Sequence, residues 1–113
     1  MNSFDPTAHT DSPLYEERGN FSEVIVYKEK RLIAENAKIS LYGDRIVVDD
    51  RVMPFEELGA VVVLGKNKLN IYCGKELLQL KGSKRFNALK YVHFFQKYKN
   101  VKSGDPNGEF LGL

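Results

Sequence analysis

Between Glu23 and Leu80 the apolar residues of this chain recur at every second position or in short runs closed by turn residues; after Ser83 they recur at helical spacing instead. That switch of period is the strongest constraint on the fold. Alternation places side chains on the two faces of a pleat, whereas a 3.6-residue period gathers them into one stripe along a helix. The alternating part predicts strands at Glu23–Lys28, Lys38–Tyr42, Arg45–Val48, Arg51–Pro54, Ala60–Leu64, Lys68–Cys73 and Glu76–Leu80. Asp49-Asp50 has the length of a two-residue hairpin loop, and Gly43-Asp44, Lys66-Asn67 and Gly74-Lys75 supply further turns. Seven short strands at this spacing point to an antiparallel barrel or sandwich.

The helical part runs from an N-cap at Ser83 through Lys84 to about Tyr98, with no Gly or Pro. Ala88, Tyr91, Val92, Phe95 and Tyr98 share one arc of the wheel, and Lys90, His93 and Lys97 lie opposite. Such a helix buries its stripe by closing an open end of the barrel. The fold class expected is therefore α+β, mostly β, with about seven strands capped by one C-terminal helix. At 113 residues the chain suffices for one domain with its own core, without disulfide or metal. Met1 to Asn20 is poor in apolar residues and carries Pro6, Pro13 and Gly19, so residues 1–20 read as a flexible tail or interdomain linker. Residues 21–113 read as the domain, with strands over 23–80, the helix over 84–98 and a closing tail over 100–113.

Composition excludes several functions. Seventeen basic against fifteen acidic residues leave a net charge of +2, too weak an imbalance for nucleic-acid binding. A single cysteine, Cys73, allows no internal disulfide and no Cys-based zinc site. It shares a strand face with Leu69 and Ile71 and reads as a small core hydrophobe. No signal peptide is visible, and Ala60–Leu64 falls far short of the about 20 apolar residues that span a bilayer. A cytoplasmic location is expected, peripheral on the inner face of the membrane if lipid is bound.

Catalytic patterns are equally scarce. His9 falls in the tail and His93 on the polar side of the helix, neither in a nucleophile or acid–base constellation. Gly59 and Gly65-Lys66-Asn67 mimic a phosphate loop only loosely, since the spacing is wrong and Asn67 replaces the magnesium-binding Ser or Thr. Asp49-Asp50 and Glu56-Glu57 read as solvated loop carboxylates. No cofactor motif is present. The remaining signal is basic: Lys28, Lys30 and Arg31 after the first strand; Lys66, Lys68 and Lys75 beside turns; and Lys81, Lys84 and Arg85 before the helix. Converging on one rim, these nine side chains would form an anionic-lipid headgroup patch; spread over turns, they would serve solubility.

Seven strands closed by a C-terminal helix are similar to the pleckstrin-homology (PH-like) fold. Gly43 to Val48 (Gly-Asp-Arg-Ile-Val-Val), Met53 to Leu58 (Met-Pro-Phe-Glu-Glu-Leu) and Asn67 to Tyr72 (Asn-Lys-Leu-Asn-Ile-Tyr) resemble bacterial PH-like sequences. The end of the chain, from Lys81 through Asn100 and again from Gly104 to Leu113, resembles the C-terminal region of clostridial lysophospholipid acyltransferases. That family transfers an acyl chain to lysophosphatidic acid through a His-x4-Asp motif and a Pro-Glu-Gly-Thr type motif. Here Leu14 and Tyr98 stand where Asp would follow His9 and His93, and there is no Pro-Glu-Gly. The resemblance thus implies a non-catalytic accessory module of such an enzyme. Its partners would be an anionic membrane surface or the acyltransferase catalytic domain. The alternative is a protein-interaction module recognising a peptide or partner domain, with Phe86, off the main stripe, as an anchor.

Overall fold

The computed structural model describes residues 12–25, 29–83 and 85–102. Seven strands form one antiparallel sheet: β1 (Tyr15–Val24), β2 (Lys30–Leu41), β3 (Arg45–Val48), β4 (Arg51–Pro54), β5 (Leu58–Leu64), β6 (Lys68–Cys73) and β7 (Glu76–Gly82). A 3-10 turn, Phe55–Glu57, links β4 to β5, and a single helix, α1 (Ala88–Lys102), follows β7. The strand order is β4-β3-β2-β1-β7-β6-β5, two local meanders joined by the β1–β7 ladder. The sheet curls into a half-barrel with α1 packed against β5 and the 3-10 turn. The change of period predicts this mostly β, α+β arrangement, which is consistent with the PH-like fold that the resemblance implies.

The core lies between the curled sheet and the helix. Ile39, Leu41, Ile46, Val48, Met53, Leu69, Ile71, Leu78 and Leu80 come from alternating strand positions and are buried. Tyr91 and Phe95 of α1 close over them. Phe55 receives the rings of Phe95 and Tyr98 edge-on, at 5.5 and 5.8 Å between centroids. The Tyr91 hydroxyl reaches through this apolar layer to donate to Glu17 Oε2 at 2.6 Å, tying α1 to β1.

Three sequence expectations need correction. The first strand does not start at Glu23; β1 begins at Tyr15, so Tyr15–Asn20 belongs to the sheet and not to a linker. Its polar side chains conceal it, because Glu16, Glu17 and Arg18 have backbone partners in β2 while facing outward or half-outward. Gly19 is required here: a side chain would fall 2.7 Å from the Lys81 carbonyl oxygen. Val26, Tyr27 and Lys28, the rest of the expected first strand, lie outside the described residues.

Next, β2 begins eight positions before the expected Lys38. Its outer half, Lys30–Asn36, shows no alternation, and Asn36 adopts φ 53° at an irregularity where the register against β1 shifts. Asn20 Oδ1 accepts the Asn36 N–H there, and Arg18 donates to the Asn36 carbonyl. An irregularity of this kind bends a strand and strengthens its twist, consistent with the curl.

Finally, α1 runs from Ala88 to Lys102 and not from Lys84 to Tyr98, so residues 100–102 belong to the helix and not to the closing tail, whose remaining residues 103–113 lie outside the described ones. Ser83 Oγ accepts from Arg85 N–H in a turn, while Asn87 Oδ1 caps the helix by accepting from Leu89 N–H at 3.0 Å. The intervening Phe86 is only 2% exposed, seated over Gly82 and against Tyr91. It plugs the core and is no exposed anchor. Elsewhere the strand bounds of β3, β4 and β6 match the expected ones residue for residue. The β3–β4 turn places Asp49 at φ 55°, with its carboxylate accepting from Lys38 N–H at 2.9 Å.

Candidate functional site

Of the nine basic residues singled out, the fold brings together some and separates others. Lys68 and Lys81 are Cα partners on neighbouring strands, pointing from the convex face of the sheet. Lys66 occupies the β5–β6 turn directly beyond Lys68, and its carbonyl accepts from Ala88 N–H, which places it beside Arg85. Lys66 and Arg85 line a hollow of about 470 Å³ with Asn87, Val63 and the exposed Leu89. On its other side Lys81 borders a second hollow with Arg18, Asn20 and Asn36. One end of the sheet thus gathers Arg18, Lys66, Lys68, Lys81 and Arg85.

Lys30 joins this group along the convex face. Its ammonium donates to Gln79 Oε1 at 3.0 Å, and Gln79 Nε2 donates to Asn70 Oδ1 at 2.9 Å. Gln79 is only 7% exposed, an unusual burial for an amide on an outer sheet face, and this ladder satisfies it. The ladder floors a groove of about 440 Å³ bounded by Val24, Leu64 and Lys68. Val62, Leu64 and Tyr72 leave large apolar side chains partly exposed on the same strands.

The remaining candidates do not converge. Lys75 lies in the β6–β7 turn, at the far end of β6 from Lys68. Arg31 is ion-paired with Glu23. Lys28 and Lys84 lie outside the described residues. Arg18 was not among the sequence candidates; it is far from the others in sequence and reaches them only through the β1–β7 ladder.

A charge count by structural half explains why this end is so basic. From Met1 to Glu57 the chain has seven Lys or Arg and twelve acidic residues; from Leu58 to Lys102 it has ten and one. The one acid, Glu76, is engaged by Arg51 of β4. Its hydrogen bond is the largest influence raising the Arg51 guanidinium pKa. The modest net charge therefore hides an uneven distribution along the chain, with the segment from β5 through α1 rich in cations. The excess of Lys in the second half is legible in the sequence itself, as is the room it leaves for a local basic patch.

His93 is exposed and packs edge-on against Phe94. Cys73 is partly buried against the core, close to the expected packing role. Glu56 and Glu57 form the 3-10 turn, where Glu56 accepts a long hydrogen bond from Tyr98. No three His, Cys, Asp or Glu side chains converge as a metal site among the described residues. No described helix is long and apolar enough to cross a membrane. No family model matches the chain, and neither does any curated protein.

Proposed function

We propose that this domain is a non-catalytic docking module that turns its β5–β7 end toward an anionic membrane surface. The observation that supports this reading is the segregation of charge, ten cations against one acid from β5 through α1. Lys66, Lys68, Lys81 and Arg85 stand at one end of that region, beside apolar Leu64 and Leu89. Each cation near an anionic bilayer contributes about 1 kcal/mol, and partly exposed leucines add contact with the headgroup–acyl boundary. The resemblance of Lys81–Asn100 to the acyltransferase C-terminal region supports placing the module in phospholipid synthesis, as the part that positions an enzyme and not the part that reacts.

Co-sedimentation with vesicles tests it. The domain should pellet with vesicles rich in anionic lipid, stay in solution with zwitterionic ones, and release as salt rises, since exposed charges are screened. Reversing Lys66, Lys68 and Lys81 together to Glu should lower partitioning by on the order of a hundredfold or more. Reversing Lys75, at the other end of β6, should have a much smaller effect. No pelleting with anionic vesicles at low salt refutes the proposal. A second reading, recognition of a partner domain, draws on the exposed Val62, Leu64 and Tyr72, and is favoured if binding proves insensitive to charge reversal.

A further inference from the structure

Directly opposed residues of an antiparallel ladder share a face, so the register maps which side chains stand together on the side of the sheet turned away from the core. One row crosses β5, β6, β7, β1 and β2 as Val62, Asn70, Gln79, Ser22 and Leu32. The next row toward the β5–β6 turn holds Leu64, Lys68 and Lys81. On the other side of the first row Tyr72 is opposite Leu77, and Val24 is opposite Lys30. Of these apolar side chains Leu32 is 54% exposed, Val62 and Leu64 42%, and Tyr72 41%. The register therefore joins them into one patch, not scattered single residues.

The same map sorts the charges. Glu23 is opposite the core residue Leu78, and Glu76 is opposite Cys73, which packs against the core, so neither acid belongs to the outer face. From Asn20–Val24 of β1 through β7 to β5, that face carries Lys68, Lys81 and, from β2, Lys30, with no acid among the described residues. Lys30 is also held in position. Gln79 Oε1 accepts one of its protons, and Asn70 holds Gln79 in turn, so the other ammonium protons remain for an anion. Lysines without an acid select a negative partner. Exposed apolar side chains among them select one that has hydrocarbon beneath its charge, and an anionic bilayer presents the two in that order.

We infer that the domain lies on its sheet, with the outer face of β5, β6, β7 and the β1–β2 hairpin flat against an anionic bilayer. Leu32, Val62, Leu64 and Tyr72 enter the headgroup region, and Lys30, Lys68 and Lys81 meet lipid phosphates around them. The inference rests on the membrane reading above and adds to it an orientation and a set of apolar anchors. It also extends the contact to the β1–β2 hairpin, and it turns the last turn of α1, across the core from this face, toward water.

The chain has no tryptophan, so a single one introduced reports its own surroundings. Leu32→Trp and Val62→Trp probe the outer face, and Val101→Trp, in the last turn of α1, serves as the comparison; all three replace exposed side chains. Each should keep the wild-type circular dichroism melt. With anionic vesicles, the first two should shift their emission to shorter wavelength, and lipids with brominated acyl chains should quench them several-fold more than Val101→Trp. Lys30→Glu, at the hairpin, should lower partitioning by about tenfold or more. Wild type that pellets with the vesicles while both face tryptophans stay unquenched overturns the orientation but leaves the membrane reading standing; the same result is expected if another part of the chain, or a partner, covers this face. Equal quenching of Val101→Trp overturns it as well, as does a Lys30→Glu variant that partitions like wild type. Wild type that does not pellet removes both readings.

Discussion

Gly82 and Phe86 offer a sharp test of how the strand-to-helix junction is held. Gly82 ends β7, four residues before Phe86, and its backbone φ is not in the left-handed region. Alanine is therefore acceptable to the backbone, and in free space would stabilise by restricting the unfolded chain. Space is what forbids it. A Cβ at Gly82 would overlap Cβ and Cγ of Phe86 and lie 2.9 Å from Cδ1, the base of a ring that is 2% exposed and packed 5.1 Å from Tyr91. The ring must leave. Losing a buried phenylalanine costs about 3–5 kcal/mol, so Gly82→Ala should destabilise by about 3 kcal/mol and lower Tm by about 12 °C or more. Phe86→Gly should cost at least as much. The double variant should be no worse than Phe86→Gly alone, because glycine at 86 also removes the Cβ that lies 2.2 Å from the added methyl, which then enters the vacated space. The coupling energy is then about 2–3 kcal/mol in a urea-denaturation cycle followed by circular dichroism. Additive losses in the double variant, or a Gly82→Ala within about 0.5 kcal/mol of wild type, would refute this account of the junction.

Other expectations follow from single contacts. Tyr91→Phe removes the hydrogen bond to Glu17 across the core and should cost about 1.5–3 kcal/mol by urea denaturation. Burial, reinforced by that bond, holds the Tyr91 hydroxyl above the ordinary tyrosine range. Its contribution is then fully present below about pH 10 and lost as pH rises further, so wild type should show an alkaline loss of stability that Tyr91→Phe reduces. Asp49→Val places a β-branched residue at φ 55° and removes the acceptor for Lys38 N–H, which should lower stability by about 2 kcal/mol, while Asp49→Asn should be nearly neutral in the same melt.

Where the chain's side chains alternate between core and water, its strands could be read from the sequence. β3, β4 and β6 are such strands, each bounded by residues suited to turns, and β3 places Ile46 and Val48 in the core. β1 and the outer half of β2 hold their place through backbone ladders, with side chains such as Glu16, Arg18, Lys30 and Glu35 facing water, so no hydrophobic period marks them. The helix began late for a related reason: Ser83 has the chemistry of a cap, but the structure uses Phe86 as a plug and moves the cap to Asn87. The basic site was half visible. Lys66, Lys68, Lys81 and Arg85 stood out by type, but their separation from Lys75 and their approach to Arg18 depend on strand pairing, which no single segment encodes.

Among the described residues the two meanders share backbone pairing only along β1 and β7, and this has a kinetic consequence. β1 to β4 and β5 to β7 each assemble from hairpins between sequence neighbours, which form in microseconds. Pairing Glu23 with Leu78, in contrast, closes a loop of about 55 residues, an entropic cost of about 3.5 kcal/mol beyond the constant for any closure. That seam is the natural bottleneck of folding. Gly19 and Gly82 face each other within it, and their bare backbones let the strands approach without side chains to rearrange. Substitution at Gly19 should accordingly slow refolding more than it speeds unfolding, marking the seam as the step at which two independent hairpin stacks become one domain.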